Sequence, residues 1–342
     1  MVVLEDRLTD RPFDIALVLS GGNALGAYQG GAYQALHDRG MQPSWIAGAS
    51  AGAVNGAMIC GNAADRRVDR LRTLWACGPM VEDALDLPGM VETSRRSLSA
   101  MATLAFGHPG FFTPRHLLGA WWNPLGSNEP ASLYDLRPLE DTLRRLVDFD
   151  LLNAGAPRLT LTAVDVRSGE DVAFHSGVDR IGPAHVRASA SLLPVFPPVA
   201  IGDRLLADAG ISANLPLDVI LAEKWERPLL CIAIDLLPLR ATWPSTLGDV
   251  ASRAQDLVFA TQSRRALAAW QAIFDAHGDA PPHRLSRARP RGRGQGVRLF
   301  DVVVTGTVAR WHGGYGKNAR CAGQRGDQDR SPRPNHLPGG GR

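Results

Sequence analysis

The chain has 342 residues, of which 45% are apolar and 21% charged, a globular balance that argues against a disordered protein. No run reaches the roughly 20 apolar residues of a membrane span, and the four cysteines (Cys60, Cys77, Cys231, Cys321) lack C-x-x-C spacing, so free thiols in a reducing compartment are expected. The net charge of +3 hides a split, with 13 basic against 4 acidic residues from Ala276 onward and 24 against 30 before it, so the body offers no basic surface for nucleic acid.

Glu5, Asp6 and Asp10 precede the short apolar run Ile15 to Leu19, which makes a poor signal peptide and leaves a cytoplasmic protein as the expectation. Residues 14–19, DIALVL, have the length of a buried strand. The turn Ser20-Gly21-Gly22-Asn23-Ala24-Leu25-Gly26 follows at once, and a helical stretch continues through Leu36 with Gly40 as its stop. Gly26 and Gly30 lie one turn apart, where small residues let a helix approach a sheet closely. A dinucleotide-binding reading of this turn fails, because it wants glycine at position 23 and an acidic residue at the end of the next strand. Two readings stay open: a tight turn without a ligand, or a cradle of N–H groups from Gly21, Gly22 and Asn23 aimed at an oxyanion. Asn is the non-glycine residue that best tolerates positive φ.

Trp45 to Ala47 reads as the next strand, and it runs into Gly48-Ala49-Ser50-Ala51-Gly52, followed by Ala53, Val54, Ala57 and Met58 at helical spacing. A serine on a sharp strand-to-helix turn is the geometry of a nucleophile elbow. Gly48 and Gly52 leave room for the unusual backbone and keep side chains off the hydroxyl. The helix beginning there would aim free N–H groups and its positive end at the serine. The pentapeptide alone occurs by chance, so its setting decides. That setting is strand, Gly-rich turn, helix, strand, nucleophile turn, helix: a βαβα order that argues for a parallel sheet covered by helices.

Residues 66–76 are expected to be helical. From 82 to 131 periodicity is poor, and Phe106, Phe111, Phe112, Trp121 and Trp122 lie scattered among Pro and Gly. Either this is a cap or lid that meets acyl chains or a membrane surface, or it is an insertion packing its aromatics on its own domain. Pro138 opens a further helix with Leu139, Leu143 and Leu146 as its stripe. Residues 158–175 alternate like a hairpin turning at Ser168-Gly169. A short helix ends before Pro194, Val199 to Ala207 reads as a hairpin turning at Gly202-Asp203, and Asp208-Ala209-Gly210 follows directly. A carboxylate leaving a strand into small residues is either a positioned base or an ordinary Asx turn. A helix at 217–224, a strand from Leu229 to Asp235 and an amphipathic helix at 246–274 complete the pattern. The remainder, 276–342, is rich in Arg, Gly and Pro and is expected to be irregular.

Four segments in one order carry a family resemblance: SGGNALGAYQGGAYQAL (20–36), GASAG with its helix (48–62), ASASLLPVFPPV (188–199) and DAGISANLP (208–216). The chain resembles the patatin-like phospholipases, in particular bacterial members with a C-terminal helical extension. That resemblance implies a three-layer α/β/α fold with a mostly parallel central sheet, a catalytic domain at 14–236 (in which 82–131 stays open as cap or lid insertion) and a helical extension at 237–275, while the basic tail at 276–342 matches nothing in the family. It implies Ser50 as nucleophile, Asp208 as general base, and Gly21, Gly22 and Asn23 as the oxyanion hole, supported by Gly26, Gly48, Gly52, Ala209 and Gly210. It further implies a serine acyl hydrolase of the phospholipase A or esterase type acting on lipid esters, with no metal and no organic cofactor. The partners would be a lipid or ester substrate and a transient membrane surface, not nucleic acid, with homo-oligomerisation open and a cytoplasmic or membrane-peripheral location.

Two departures stand out. The family's loop usually reads G-G-G-x-R/K-G, where this chain has Asn23 and Leu25, and the aspartate is usually followed by glycine, where this chain has Ala209. If that position needed positive φ, alanine would strain the turn by about 1 kcal/mol or more. The rival readings are a lipid-binding or scaffold protein that has lost turnover, and a Ser-His-Asp α/β-hydrolase. The latter needs a histidine after the acid, and the four there (His277, His283, His312, His336) lie at or beyond the edge of the irregular tail.

Overall fold

The computed structural model describes residues 13–22, 25–76, 103, 105–108, 110–115, 131–237, 241, 243–244 and 246–276. The chain opens with β1 (Asp14–Leu19), α1 (Gly26–His37), β2 (Trp45–Gly48), α2 (Ala51–Cys60) and α3 (Arg67–Ala76). Two short strands follow, β3 (Thr113–Pro114) and β4 (Tyr134–Asp135), then α4 (Arg137–Leu146) and α5 (Phe149–Asn153). Next come β5 (Arg158–Asp165), β6 (Asp171–His175), α6 (Pro183–Ser189), β7 (Val199–Ile201) and β8 (Arg204–Asp208). Helix α7 (Asp218–Leu221), β9 (Leu229–Ile234) and α8 (Leu247–Ala276) complete the described elements.

The sheet runs β7-β8-β5-β2-β1-β9, with β6 pairing β5 off that path. Strands β9, β1, β2 and β5 are parallel to one another, while β6, β8 and β7 form an antiparallel flank. Alternation along β1 explains the layers, because successive side chains point to opposite faces. Ile15, Leu17 and Leu19 pack with Tyr33, Ala53, Val54, Ala57, Met58, Leu71 and Leu74 from α1, α2 and α3. Ala16 and Val18 face the other way, onto Leu217, Ile220 and Leu221 around α7 and onto Ala266, Leu267, Trp270 and Phe274 of α8. A strand buried on both faces must be apolar throughout, which is why DIALVL carries its one charge at the first residue. The result is the expected three-layer α/β/α arrangement.

One pairing detail positions the site. β2 lies along β5 from Trp45↔Arg158 to Gly48↔Leu161, and β8 pairs with β5 from Ala163↔Asp208 to Asp165↔Leu206. β6 covers β5 from Thr160 to Val164, overlapping both, so β2 and β8 must share the opposite edge. They approach end to end, separated on β5 only by Thr162. The C-terminal ends of β2 and β8 therefore converge.

The hairpins at 158–175 and 199–208 form as expected. Helix α8 is one unbroken helix of 30 residues, whereas α7 is shorter than its pattern, covering Asp218–Leu221 only. Helix α5 follows α4 as a separate helix. Its signal is the cap, since the Asp148 carboxylate accepts from Asp150 N–H and Leu151 N–H, both at 3.0 Å. Within the proposed cap, Phe111 and Phe112 rest against the main core and Phe106 is 78% exposed. Trp121, Trp122 and most of 82–131 lie outside the described residues, as do Cys77, Cys321 and the tail from 277. Cys60 and Cys231 are free and buried.

Candidate active site

Between the last residue of β2 and the first of α2 only Ala49 and Ser50 make the turn. Ser50 takes φ 55° and ψ −122° and is the only non-glycine at positive φ among the described residues. Such a backbone costs about 1–3 kcal/mol and persists where its surroundings hold it. The Ser50 N–H donates to the Ser189 carbonyl at 3.1 Å and lies 3.2 Å from the Ser189 hydroxyl oxygen. That hydroxyl in turn donates to the Thr162 carbonyl at 2.6 Å, so α6 and β5 both secure the turn. The flanking glycines are needed for approach: a Cβ on Gly48 would sit 2.4 Å from the Gly52 carbonyl oxygen, and one on Gly52 would sit 2.2 Å from that of Leu19. Ser50 thus stands at the N-terminus of α2, where the helix dipole and the Ala51 N–H, which has no acceptor among the described residues, favour negative charge.

Asp208 is the last residue of β8 and is 2% exposed. Its backbone N–H donates to the Ser191 carbonyl at 3.0 Å, and one carboxylate oxygen accepts the Gly210 N–H at 2.7 Å. Burial pushes the Asp208 carboxyl up to about 6, against the lowering effect of the nearby Ser50 hydroxyl and of the Gly210 N–H. The carboxylate and the serine hydroxyl line the same cavity, brought together by the end-to-end meeting of β2 and β8. The strain foreseen at Ala209 does not arise. Ala209 opens a 3₁₀ turn (Ala209–Ile211) and does not have positive φ, so a methyl group is tolerated there.

The glycine-rich turn lies beside this pair. A Cβ on Gly21 would lie 3.0 Å from Ser50 Cβ and 2.5 Å from Asn214 Oδ1, so only glycine fits. The Gly21 N–H, however, donates to the Asn214 carbonyl at 3.1 Å, and the Asn214 side-chain amide contacts the Gly21 carbonyl at 3.4 Å. The Gly22 N–H donates to no acceptor among the described residues, and Gly22 lines the cavity with Ser50 and Asp208. Asn23 lies outside the described residues. Gly26, at the start of α1, allows close contact instead: a Cβ there would strike the Trp75 ring at 2.4 Å. A buried network fixes α1 against α2, with Asn55 Nδ2 donating to Gly26 O and Gln29 Oε1, both at 2.9 Å. Gln29 Nε2 donates to Ser20 O at 2.8 Å, and Trp75 Nε1 to Asn55 Oδ1 at 2.8 Å.

The cavity over Ser50 is lined by Gly22, Ser50, Leu192, Asp208, Gly210, Asn214, Leu237, Gln255 and Phe259. The chemical groups of the site are legible in the sequence, but its walls are not. Asn214 stands in one of the four family segments without a role of its own. Gln255 and Phe259 come from α8, whose amphipathic spacing announces a helix without saying what it covers. Among the described residues no group of three His, Cys, Asp or Glu is placed to hold a metal, and no described histidine lines the cavity. Among the same residues no helix is long and apolar enough to cross a membrane.

Comparison with known proteins came to three findings. Residues 17–221 match the sequence profile of the patatin-like phospholipases. No curated protein matches the chain. Among solved structures, the chain is similar to VipD from Legionella pneumophila (15% identity, 88% of this chain and 64% of that one, TM-score 0.38). It is also similar to ExoU of the type III secretion system of Pseudomonas aeruginosa, solved in complex with SpcU (17% identity, 74% of this chain and 53% of that one, TM-score 0.28). The chain thus spans between half and two thirds of the length of these proteins.

Proposed function

The chain belongs to the patatin-like phospholipase family, and from that premise we propose that it is a serine acyl hydrolase that cleaves carboxylic esters of lipids through Ser50 and Asp208. The observation that carries this reading is the meeting of Ser50, at the N-terminus of α2, and the buried Asp208, at the end of β8, on one cavity. A serine hydroxyl is a weak nucleophile until a neighbouring base takes its proton. A carboxyl held up to about 6 is mostly ionised at neutral pH, yet a far better base than an exposed aspartate.

The steps then follow. Ser50 Oγ attacks the ester carbonyl carbon as its proton passes to Asp208. The carbonyl oxygen gains negative charge beside the Gly22 and Ala51 N–H groups, which stabilise it without rearranging. The tetrahedral adduct collapses, the C–O bond to the alcohol breaks, and protonated Asp208 gives its proton to the departing oxygen. Water next attacks the acyl-Ser50 carbonyl, Asp208 takes a proton from that water, and collapse frees the carboxylic acid and returns the proton to Ser50. Gly21 serves by shape, letting the loop lie against Ser50, and Asn214 holds it there. The substrate is a lipid or related ester met at a membrane surface, with the enzyme binding there peripherally.

Labelling by a fluorophosphonate, read by peptide mass spectrometry on the wild type, Ser50→Ala and Asp208→Asn, tests the reading. An adduct on Ser50 that is abolished in the first variant and strongly reduced in the second is expected. A folded wild type that takes no label would leave a lipid-binding protein without turnover as the better reading.

A further inference from the structure

Helix α8 begins after the residues that match the family, yet it is built into the site. Gln255 and Phe259 wall the cavity. One turn further on, Gln262 makes two bonds to the segment that follows Asp208. Its Oε1 accepts the Asn214 N–H at 3.1 Å, and its Nε2 donates to the Ile211 carbonyl at 3.2 Å. Within that segment Ser212 and Ala213 both donate back to Ala209, so Ile211 O and Asn214 N–H are left for a partner outside. A carboxamide can serve both, because it carries an acceptor and a donor side by side as a peptide group does. What Gln262 holds is a junction. Upstream lie Gly210, whose N–H bonds the Asp208 carboxylate, and Asp208 itself. Downstream lies Asn214, whose carbonyl takes the Gly21 N–H of the loop beside Ser50.

We propose that Gln262 is a positioning residue for the acyl-transfer site, clamping the Asp208–Asn214 turn so that base and glycine loop keep their places relative to Ser50. The proposal rests on the reading of Ser50 and Asp208 as the reacting pair. The helix does not depend on Gln262 for its own attachment. Ala266, Leu267, Trp270 and Phe274 pack it on the sheet, Ala260 and Ser263 are buried, and Trp270 Nε1 donates to Asp218 at 2.5 Å. Gln262 is only half-buried, so water can reach its former partners in a variant and the fold survives. What is lost is order at the turn.

The experiment compares Gln262→Met, which keeps length and removes both bonds, with Gln262→Glu, which keeps the acceptor for Asn214 and loses the donor for Ile211. Fluorophosphonate labelling of Ser50 and hydrolysis of p-nitrophenyl butyrate are measured on the full chain, with hydrogen exchange followed in peptides spanning 209–216 and 264–276. In Gln262→Met, labelling and kcat should fall about tenfold with KM changed by no more than about twofold, as for groups that act through the reacting pair. Gln262→Glu should recover part of that loss. Exchange should quicken at 209–216 and stay unchanged at 264–276. Undiminished labelling in Gln262→Met, while the wild type labels normally, overturns the proposal and leaves the hydrolase reading intact. Equal losses in both variants with exchange quickened along α8 overturn it too, because the helix would then simply have come loose. A wild type that takes no label removes the hydrolase reading itself, and this proposal with it.

Discussion

Replacing Asp208 by Asn should abolish turnover while making the protein more stable at neutral pH. The carboxyl is buried, and its folded value of about 6 lies above the ordinary 3.8, chiefly because burial disfavours the charged form. In an acid shifted this way the folded state binds the proton more tightly than the unfolded state. Its contribution to stability is fully present below pH 3.8 and is lost as the pH rises through 6. Above that, the ionised carboxylate costs the fold about 3 kcal/mol, since each tenfold change in proton affinity is worth about 1.36 kcal/mol and the rise spans roughly two of them. Asparagine is neutral at every pH and keeps an oxygen for the Gly210 N–H. Asp208→Asn should therefore gain up to about 3 kcal/mol at pH 8, or about 6–12 °C in Tm for a domain of this size, and should gain nothing near pH 4. Thermal melts of both proteins at the two pH values measure this. A variant melting below the wild type at pH 8 would refute the reasoning, since burial would then not be what holds the carboxyl up.

Three further outcomes follow from the same geometry. Fluorophosphonate labelling of Ser50 should fall about tenfold between pH 7 and pH 5 as Asp208 takes up its proton through a value of about 6, and a flat profile in stopped labelling assays would remove Asp208 as the base. Gly52→Ala would place a methyl group 2.2 Å from the Leu19 carbonyl oxygen, so a loss of about 3 kcal/mol or more in urea denaturation is expected, at or above the upper end for overpacking. Phe259→Ala opens the cavity wall and should shift kcat/KM toward longer acyl chains when p-nitrophenyl esters of increasing length are compared; an unchanged preference would mean that Phe259 does not meet the acyl group.

The parts of the molecule legible in its sequence are those whose cause is local. DIALVL is a strand because a doubly covered strand has no place for charge. GASAG is an elbow because backbone at positive φ and two close approaches demand small residues around Ser50. Asp208 stood out because a carboxylate leaves a hairpin there into small residues, a pattern shared with an ordinary Asx turn, and the family resemblance chose between the two. What stayed hidden depends on partners far away in the chain. Nothing near Gly21 says that its N–H bonds Asn214, almost two hundred residues on. Nothing in the spacing of α8 says that Gln255, Phe259 and Gln262 meet the site, because an amphipathic pattern reports that one face is covered and not by what. Ala209 looked strained only because the family places glycine there; the local 3₁₀ turn removes the need.

The abutment of β2 and β8 along β5 gives that strand a role like a gauge block. Only Thr162 separates the position opposite Gly48 from the position opposite Asp208. Adding or removing one residue between Leu161 and Ala163 would move the two ends by about 3.3 Å, longer than a hydrogen bond, and would turn the rest of β5 over to the wrong face. Helices, loops and termini can lengthen or drift over generations while the chemistry survives. The count along this one strand cannot, and it would be expected to outlast most of the side chains around it.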